Sequence, residues 1–439
     1  MIRMIKCLPV LLLACSTSFA QLKNIKLDEA TSIHERYEPS IAINKKNPVN
    51  IVGAFTSDNI YYTLDGGVTW KTQKLNSSHS VGGNPVLVSD DKGDIYAFHL
   101  SGPSGEGAKN EKSFDQILTH ISRDGGKTWE EGAGIGTNAP KDQCKLSATV
   151  DSKGNVWVAW SQFDKFQSED ENCQSNILLS SSSNGKKWSK PLQISQTPGN
   201  CKDDDNSAEG AMAAIGVDGK AFVAWSNQNK IFLDRSFNGG GLWLTNDIAV
   251  GQQPGGWDMN IPGHDRCNGL PTLAINQTKS PSQGSLYLAW ADQRNGENDT
   301  DVWFMRSTNF GDNWTNPVKL GDDKNKRHQY LPRMTVDQTT GFIYVIYFDR
   351  DNYEDNQTDV FLAYSTDGGS SFKNIKVSEE PFTPTGSTLI SYNNISAHKG
   401  IIVPIWTRID DGKVSVWTSI IKQSEIIQAA ASSGKKKKS

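Results

Sequence analysis

An eight-residue phrase returns six times along the chain, and a phrase that returns on a steady step admits only an array of similar units. The copies are Thr63-Leu-Asp-Gly-Gly-Val-Thr-Trp70, Ser122-Arg-Asp-Gly-Gly-Lys-Thr-Trp129, Ser181-Ser-Ser-Asn-Gly-Lys-Lys-Trp188, Ser236-Phe-Asn-Gly-Gly-Gly-Leu-Trp243, Ser307-Thr-Asn-Phe-Gly-Asp-Asn-Trp314 and Ser365-Thr-Asp-Gly-Gly-Ser-Ser-Phe372. From one closing aromatic to the next the steps are 59, 59, 55, 71 and 58 residues. A period of this size is the mark of stacked or ring-arranged supersecondary units. Length alone, 439 residues, would admit two or three domains. The repeat overrides that prior, and residues 21–422 read as one array.

Each copy lies between strand-like runs. Before the second comes Gln116-Ile-Leu-Thr-His120, and after the third comes Lys190-Pro-Leu-Gln-Ile194. Further upstream are β-branched and aromatic runs with a shared ending, Val156-Trp-Val-Ala-Trp160, Ala221-Phe-Val-Ala-Trp225, Leu286-Tyr-Leu-Ala-Trp290 and Ile343-Tyr-Val-Ile-Tyr347. Four short strands per repeat, punctuated by turn residues, make the blade of a β-propeller. After the sixth copy, Thr388–Ser396, Ile401–Thr407 and Val414–Ile420 supply three more strands with no phrase and no fourth run. Leu22-Lys-Asn-Ile-Lys-Leu27 reads almost like Phe372-Lys-Asn-Ile-Lys-Val377. The expected fold is all-β, a seven-bladed propeller with Leu22–Leu27 pairing to Val414–Ile420 in the last blade. A six-bladed ring is the alternative. Ring closure hides both sheet edges, which would otherwise invite aggregation.

The phrases read as turns between third and fourth strands. Their glycines permit left-handed backbone, their Asp or Asn accepts backbone hydrogen bonds across the turn, and their aromatic packs between neighbouring sheets. In the third copy Ser183 occupies the acidic position.

The first twenty residues read as an export signal: Arg3 and Lys6, then apolar Leu8–Ala14, then Ser18-Phe-Ala20 before Gln21. Lipoprotein processing at Cys15 is the alternative. The protein is expected outside the cytoplasm, periplasmic or secreted. With a net charge of −4 the chain has no electrostatic case for a nucleic-acid partner. No run is long enough for a transmembrane helix. Residues 423–439, ending in Lys435–Lys438, read as a disordered polar and basic tail. A monomer is expected. Of the remaining cysteines, the expected disulfides are Cys144–Cys173 and Cys201–Cys267, each tying segments at one end of the array.

Strand alternation places the phrases at one end of the ring, so chemistry is expected from the loops at the other, where the insertions also fall. Loops leading into the first strands carry Glu38, Asp142, Glu209 and Tyr330 as candidate catalytic groups, and the ends of second strands add Asp292 and Asp349. Arg36, Arg266, Arg294, His328, Arg333, Arg350 and Arg408 are the candidate substrate-binding residues. Carboxylates beside arginines suit two tasks, acid–base work on a glycosidic oxygen and clamping of an anionic substrate. Pairs such as Asp292 with Arg294 equally read as braces between blades. No cofactor is expected. Structural calcium is the other reading of the Asp/Asn runs at 203–206, 295–301 and 349–359, which lack calcium-loop spacing.

The repeated phrase resembles the Asp box, Ser-x-Asp-x-Gly-x-Thr-Trp, of bacterial sialidases and other bacterial-neuraminidase-repeat proteins. The resemblance covers nearly all of the chain after the signal. It implies an exported protein that binds an acidic carbohydrate, acting as an exo-glycoside hydrolase. It also implies an arginine triad, a Tyr–Glu nucleophile pair and an Asp acid/base. At the place of the family's Phe-Arg-Ile-Pro phrase stands Glu35-Arg36-Tyr37-Glu38-Pro39, with one extra residue between Arg36 and Pro39. On a strand, one residue reverses the facing. Two other readings stand beside the hydrolase. One is a non-catalytic propeller that binds a glycan or a partner protein; the other is a polysaccharide lyase using Tyr330, His328 and Arg333.

Overall fold

Seven antiparallel sheets, six of four strands and the seventh of five, surround a central channel, each innermost strand packing on the next and the seventh on the first. The computed structural model describes residues 21–29, 38–55, 58–83, 85–102, 114–264, 266–322, 324–385, 393–410 and 413–428. The proposed export signal, Cys15, Arg36 and residues 429–439 lie outside them. In chain order the innermost strands are Ser40–Ile43, Val86–Ser89, Asp142–Val150, Glu209–Ile215, Thr272–Ile275, Gln329–Val336 and Asn394–His398. Blades one to six are each built from four consecutive strands, and the expected seven-bladed ring is the one observed.

The seventh blade closes the ring with the first strand of the chain. Asn24–Glu29 pairs antiparallel with Lys413–Ser419, Asn24 opposite Ser419 and Glu29 opposite Ser415. The closing strand is also pinned to both neighbours. Asn24 donates from Nδ2 to the Val377 carbonyl at 2.9 Å and accepts from the Glu379 N–H at 2.8 Å, both in blade six. Tyr61 of blade one donates to Asp28. Part of the segment read in the sequence as a tail, residues 423–439, is ordered into the fold. Residues 423–428 form a helical turn, with Ile426 buried in the core and Tyr344 donating to Gln423 Oε1 at 2.9 Å.

The repeated turns show why the phrase has its spelling. In the second, Ser122 Oγ donates to Asp124 Oδ1 at 2.9 Å and accepts from the Gly126 N–H at 2.8 Å. Asp124 in turn accepts from the Thr128 N–H and hydroxyl at 2.9 and 2.7 Å. Gly125 and Gly126 stand at φ 79° and 95°, the region that L side chains avoid. Trp129 then packs into the core between blades one and two. The third copy departs from its reading in the sequence. Its turn is one residue shorter, so Ser182 and Asn184 take the roles of Ser122 and Asp124, with Asn184 Oδ1 accepting from Lys186 and Lys187. Ser183 is therefore not the substitute for the acid.

At the opposite end, three inner strands carry an extra residue. Lys145 and Leu146 together face Trp160, Gly210 and Ala211 face Trp225, and Leu331 and Pro332 face Tyr347. One residue in each bulge is left-handed: Lys145 at φ 49°, Gly210 at 74° and Leu331 at 54°. Such backbone costs about 1–3 kcal/mol for a side chain other than glycine. The opposing aromatics, the shared endings of the second strands, are fully buried. Truncating a buried aromatic of this kind costs about 3–5 kcal/mol, enough to hold the bulge in place. Bulges re-aim side chains at the rims of closed sheets, and here they shape the mouth of the channel.

Among the described residues one disulfide is formed, Cys173–Cys201, and this corrects both expected pairings. Cys144 remains a buried thiol packed in the same cluster as the disulfide, and Cys267 is a buried thiol among the core residues of blades five to seven. The reason is local. The Gly199–Ala208 segment folds back on Ser175, with backbone bonds of 2.9 Å in both directions between Ser175 and Gly199, and so carries Cys201 to Cys173. Among the described residues no helix is long and apolar enough to cross a membrane.

Candidate functional site

The central channel has a volume of about 610 Å³ and runs the full length of the inner strands. Its walls are mostly small or apolar, and its charge collects at the two ends. Glu38, Lys145 and Arg333 mark the end away from the repeated turns; Lys45, Asp91 and Lys399 mark the other. The first end is where the three bulges lie. Lys145 owes its place there to its bulge, and Arg333 is the residue that follows the third.

Beneath that mouth lies a cluster of opposed charges. Arg266 donates to the Asp203 carboxylate and backbone carbonyl and, at 3.1 Å, to Asp258 Oδ1, while its guanidinium covers Trp257 at 4.7 Å. Asp203 sits at φ 63° two residues beyond the disulfide-bonded Cys201, in the segment that folds back on Ser175. Trp257 and the Asp258 N–H bond that segment at Asp204 and Asp205, at 3.0 and 2.8 Å. Glu209 has no exposed surface, and neither of its carboxyl oxygens has a donor to accept from. Its side chain lies against the Asp203 carboxylate. Two carboxylates can bond only if one keeps a proton. Burial, then the Asp203 charge, drives the Glu209 acidity well below the ordinary, so that its pKa stands far up from the carboxylate range. Asp203 is held down by its bond with Glu209 and by Lys145 and Arg266, against the opposing effect of its burial. The two acidities are thus shifted in opposite directions, the pattern that separates acid from base in carboxylate chemistry.

A second cluster lies deeper, under the loops of blades five and six. Tyr330 meets His264 Nε2 at 2.9 Å and Thr358 Oγ1 at 3.3 Å, and Arg350 lies 5.2 Å from the Tyr330 ring centre. The histidine beside Tyr330 is thus His264, which the sequence did not single out. His328 turns to Thr300 Oγ1 at 3.1 Å, and Arg333 lies on the channel wall with Nη1 3.8 Å from Met212 Sδ. The bulge at Leu331 and Pro332 separates Arg333 from the direction of Tyr330, and the trio read in the sequence is not assembled.

Other candidates are braces. Asp292 and Arg294 bond each other at 2.6 Å while Trp290 donates to Asp292 at 2.8 Å, and Arg294 covers Trp303 at 4.1 Å. Arg408 bonds Asp410 at 2.6 Å. Asp142 accepts from the Phe166 N–H at 2.8 Å. Asp349 accepts from the Asp351 N–H at 2.7 Å, and burial together with the Asp351 charge pushes its carboxyl up to about 7. Among the described residues, Arg294 and Arg408 are bound to aspartates two residues away and Arg266 to Asp203 and Asp258, so they do not converge on one point. Sequence reasoning passed over Asp203, Asp258 and His264. The Asp203–Asn206 run was visible, but its contact with Glu209 depends on the disulfide loop. Among the described residues no group of three or more metal-binding side chains is placed to hold an ion.

No protein-family model matches the chain, and no curated protein sequence does. Solved structures match it at the level of fold. An ulvan lyase, a polysaccharide lyase bound to a GlcA–Rha3S unit, is 12% identical, with 90% of this chain and 96% of that one covered and a TM-score of 0.52. The Penicillium chrysogenum α-L-arabinanase complexed with arabinobiose is 13% identical, with 92% and 99% covered and a TM-score of 0.50. At such identities the likeness is one of architecture alone.

Proposed function

We propose that the protein is an exported glycan-active propeller that takes an acidic sugar at the channel mouth away from the repeated turns. Glu209 is its proton donor, and Lys145 and Arg333 are the cations that meet the sugar's carboxylate. The observation that carries this reading is the fully buried Glu209 against the Asp203 carboxylate, their acidities shifted in opposite directions under a mouth edged by Lys145. A carboxyl with a raised pKa is what protonation of a leaving glycosidic oxygen requires. Glu38, at the same mouth, is the candidate for the second carboxylate of a hydrolase. The fold is shared with an ulvan lyase and an arabinanase, which supports a carbohydrate as ligand. The arginine triad of a sialidase finds no support in the described arginines, so the sialidase resemblance is carried here as substrate class and not as mechanism.

A binding role without turnover is the second reading, favoured by the complete burial of Glu209. The test is a screen of turnover and binding against sialosides and uronic-acid oligosaccharides. Turnover lost in Glu209→Gln with binding retained supports the enzyme. Binding without turnover in the parent protein supports the binder. Neither binding nor turnover on both classes overturns the proposal.

A further inference from the structure

Arg350 is a buried cation with neutral neighbours. It is 1% exposed, and its Nη2 is buried without a hydrogen-bond partner. Its other bonds go to uncharged oxygens: Nε donates to Thr358 Oγ1 at 3.1 Å and Nη1 to Asn356 Oδ1 at 3.4 Å. The nearby aspartates are engaged elsewhere. Asp349 accepts from the Asp351 N–H, Asp351 caps the Lys324 and Asn325 N–H groups at 2.8 and 2.6 Å, and Asp359 pairs with Lys376 at 2.9 Å. Among the described residues no carboxylate comes within ion-pair distance of the guanidinium. What surrounds it is His264, His328, Tyr330 and the Cys267 thiol, all kept uncharged by burial with the Arg350 charge disfavouring a proton on either imidazole.

The polar groups around Arg350 satisfy one another without a negative charge. Thr358 Oγ1 donates to the Asn356 carbonyl at 3.0 Å, so toward Arg350 and Tyr330 it can only accept. Tyr330 therefore donates to Thr358 at 3.3 Å and accepts from His264 Nε2 at 2.9 Å, and neither it nor the imidazole offers Arg350 a counter-charge. An uncompensated charge in such surroundings costs several kcal/mol, and proteins do not ordinarily leave one without a counter-charge.

We propose that this cluster is a structural anion site, with Arg350 Nη2 as the principal donor, for a small inorganic anion of halide size. It is separate from the glycan site, because Arg350 does not line the channel and its buried Nη2 leaves no approach for a sugar ring. The anion ties together the loop before blade five, which carries His264, and the loop between the second and third strands of blade six, which carries Arg350 and Thr358.

The experiment uses the full protein at constant ionic strength, with chloride titrated against the bulkier methanesulfonate while thermal unfolding is followed. A ligand held only by the folded state raises Tm with its concentration. The expected result is a chloride-dependent rise of a few degrees, lost in Arg350→Met, and an anomalous bromide peak beside Arg350 Nη2 in crystals soaked with bromide. Identical Tm in both salts together with no bromide at Arg350 overturns the proposal. If Arg350→Met fails to fold, the bromide map of the parent protein decides alone. If a uronic-acid oligosaccharide, and not chloride, gives protection that Arg350→Met removes, the separate site is refuted and Arg350 belongs to the glycan. Because Glu209→Gln leaves these residues untouched, it should retain the chloride effect, so the two proposals can fail independently.

Discussion

Glu209 lies fully buried against the Asp203 carboxylate beneath the channel mouth, and the arrangement makes stability and the proposed chemistry depend on the same group. The folded state raises the Glu209 pKa, so its contribution to stability is full below the unfolded carboxylate range and is lost as pH rises through the folded value. Glu209→Gln, neutral at every pH, should gain in stability over the parent protein as pH increases from about 4 to 8. Urea unfolding at several pH values would show the gap. A gap that stays constant would mean that Glu209 is ionised in the folded protein. If turnover is found, the same substitution should reduce it by about 10²–10⁴-fold.

The closing strand should behave as a clasp. Removing residues 21–29 exposes the edge of Lys413–Ser419 and deletes the contacts to blades one and six, so marked destabilisation and aggregation are expected. The milder Asn24→Ala loses the bonds to Val377 and Glu379 and should cost about 1–3 kcal/mol. Unchanged denaturation midpoints in both would show that the ring does not need its clasp.

The stacked pair His99 and His120 predicts acid lability. Their Nε2 atoms are 3.1 Å apart, and His99 Nδ1 lies 2.8 Å from the Leu100 carbonyl. His99 therefore donates from Nδ1 and accepts at Nε2 from His120. Protonation of His99 destroys this pairing. Burial lowers both to about 4. A lowered histidine contributes stability that is full above about 6.5 and is lost as pH falls through about 4, each proton adding a slope of about 1.4 kcal/mol per pH unit. His120→Gln should flatten that acid limb. An unaltered limb between pH 7 and 4 would place the acid sensitivity elsewhere.

Non-reducing digestion should recover Cys173 joined to Cys201, with Cys144 and Cys267 as thiols. The bridge spans 28 residues, and its loss should cost about 3–4 kcal/mol on chain-entropy grounds. Because Asp203 lies two residues beyond Cys201, reduction should also disturb Glu209. Turnover or glycan binding that survives reduction intact would uncouple the loop from the site.

The array was legible because its signals are local. Gly125, Gly126 and Asp124 make their turn with neighbours in sequence, and alternation alone placed the turns at one end. The ring closure was legible because the first strand repeats the spelling of the one at Phe372. The site was legible only in part, since its contacts are long-range. Glu209 was named for its position at the start of an inner strand, but nothing in the sequence says that the Cys173–Cys201 loop brings Asp203 to it. Tyr330 was named while its partner was not, because Leu331 and Pro332 form a bulge that alternation cannot foresee. Arg266 and Arg408 were read as substrate cations, when both are bound by aspartates close in the fold, whereas Asp292 with Arg294 had also been read as a brace.

Asn24 stands opposite Ser419, so the first strand begins where the penultimate segment of the chain ends. Tension applied between residue 21 and that segment would load the ladder one bond at a time from this end, as a zip is opened, and would not shear all its bonds together. A ring closed through seven interlocked sheets is thus mechanically weak along one direction. Held at its two ends under force, the molecule should yield first at blade seven, losing a single strand while six blades keep their shape.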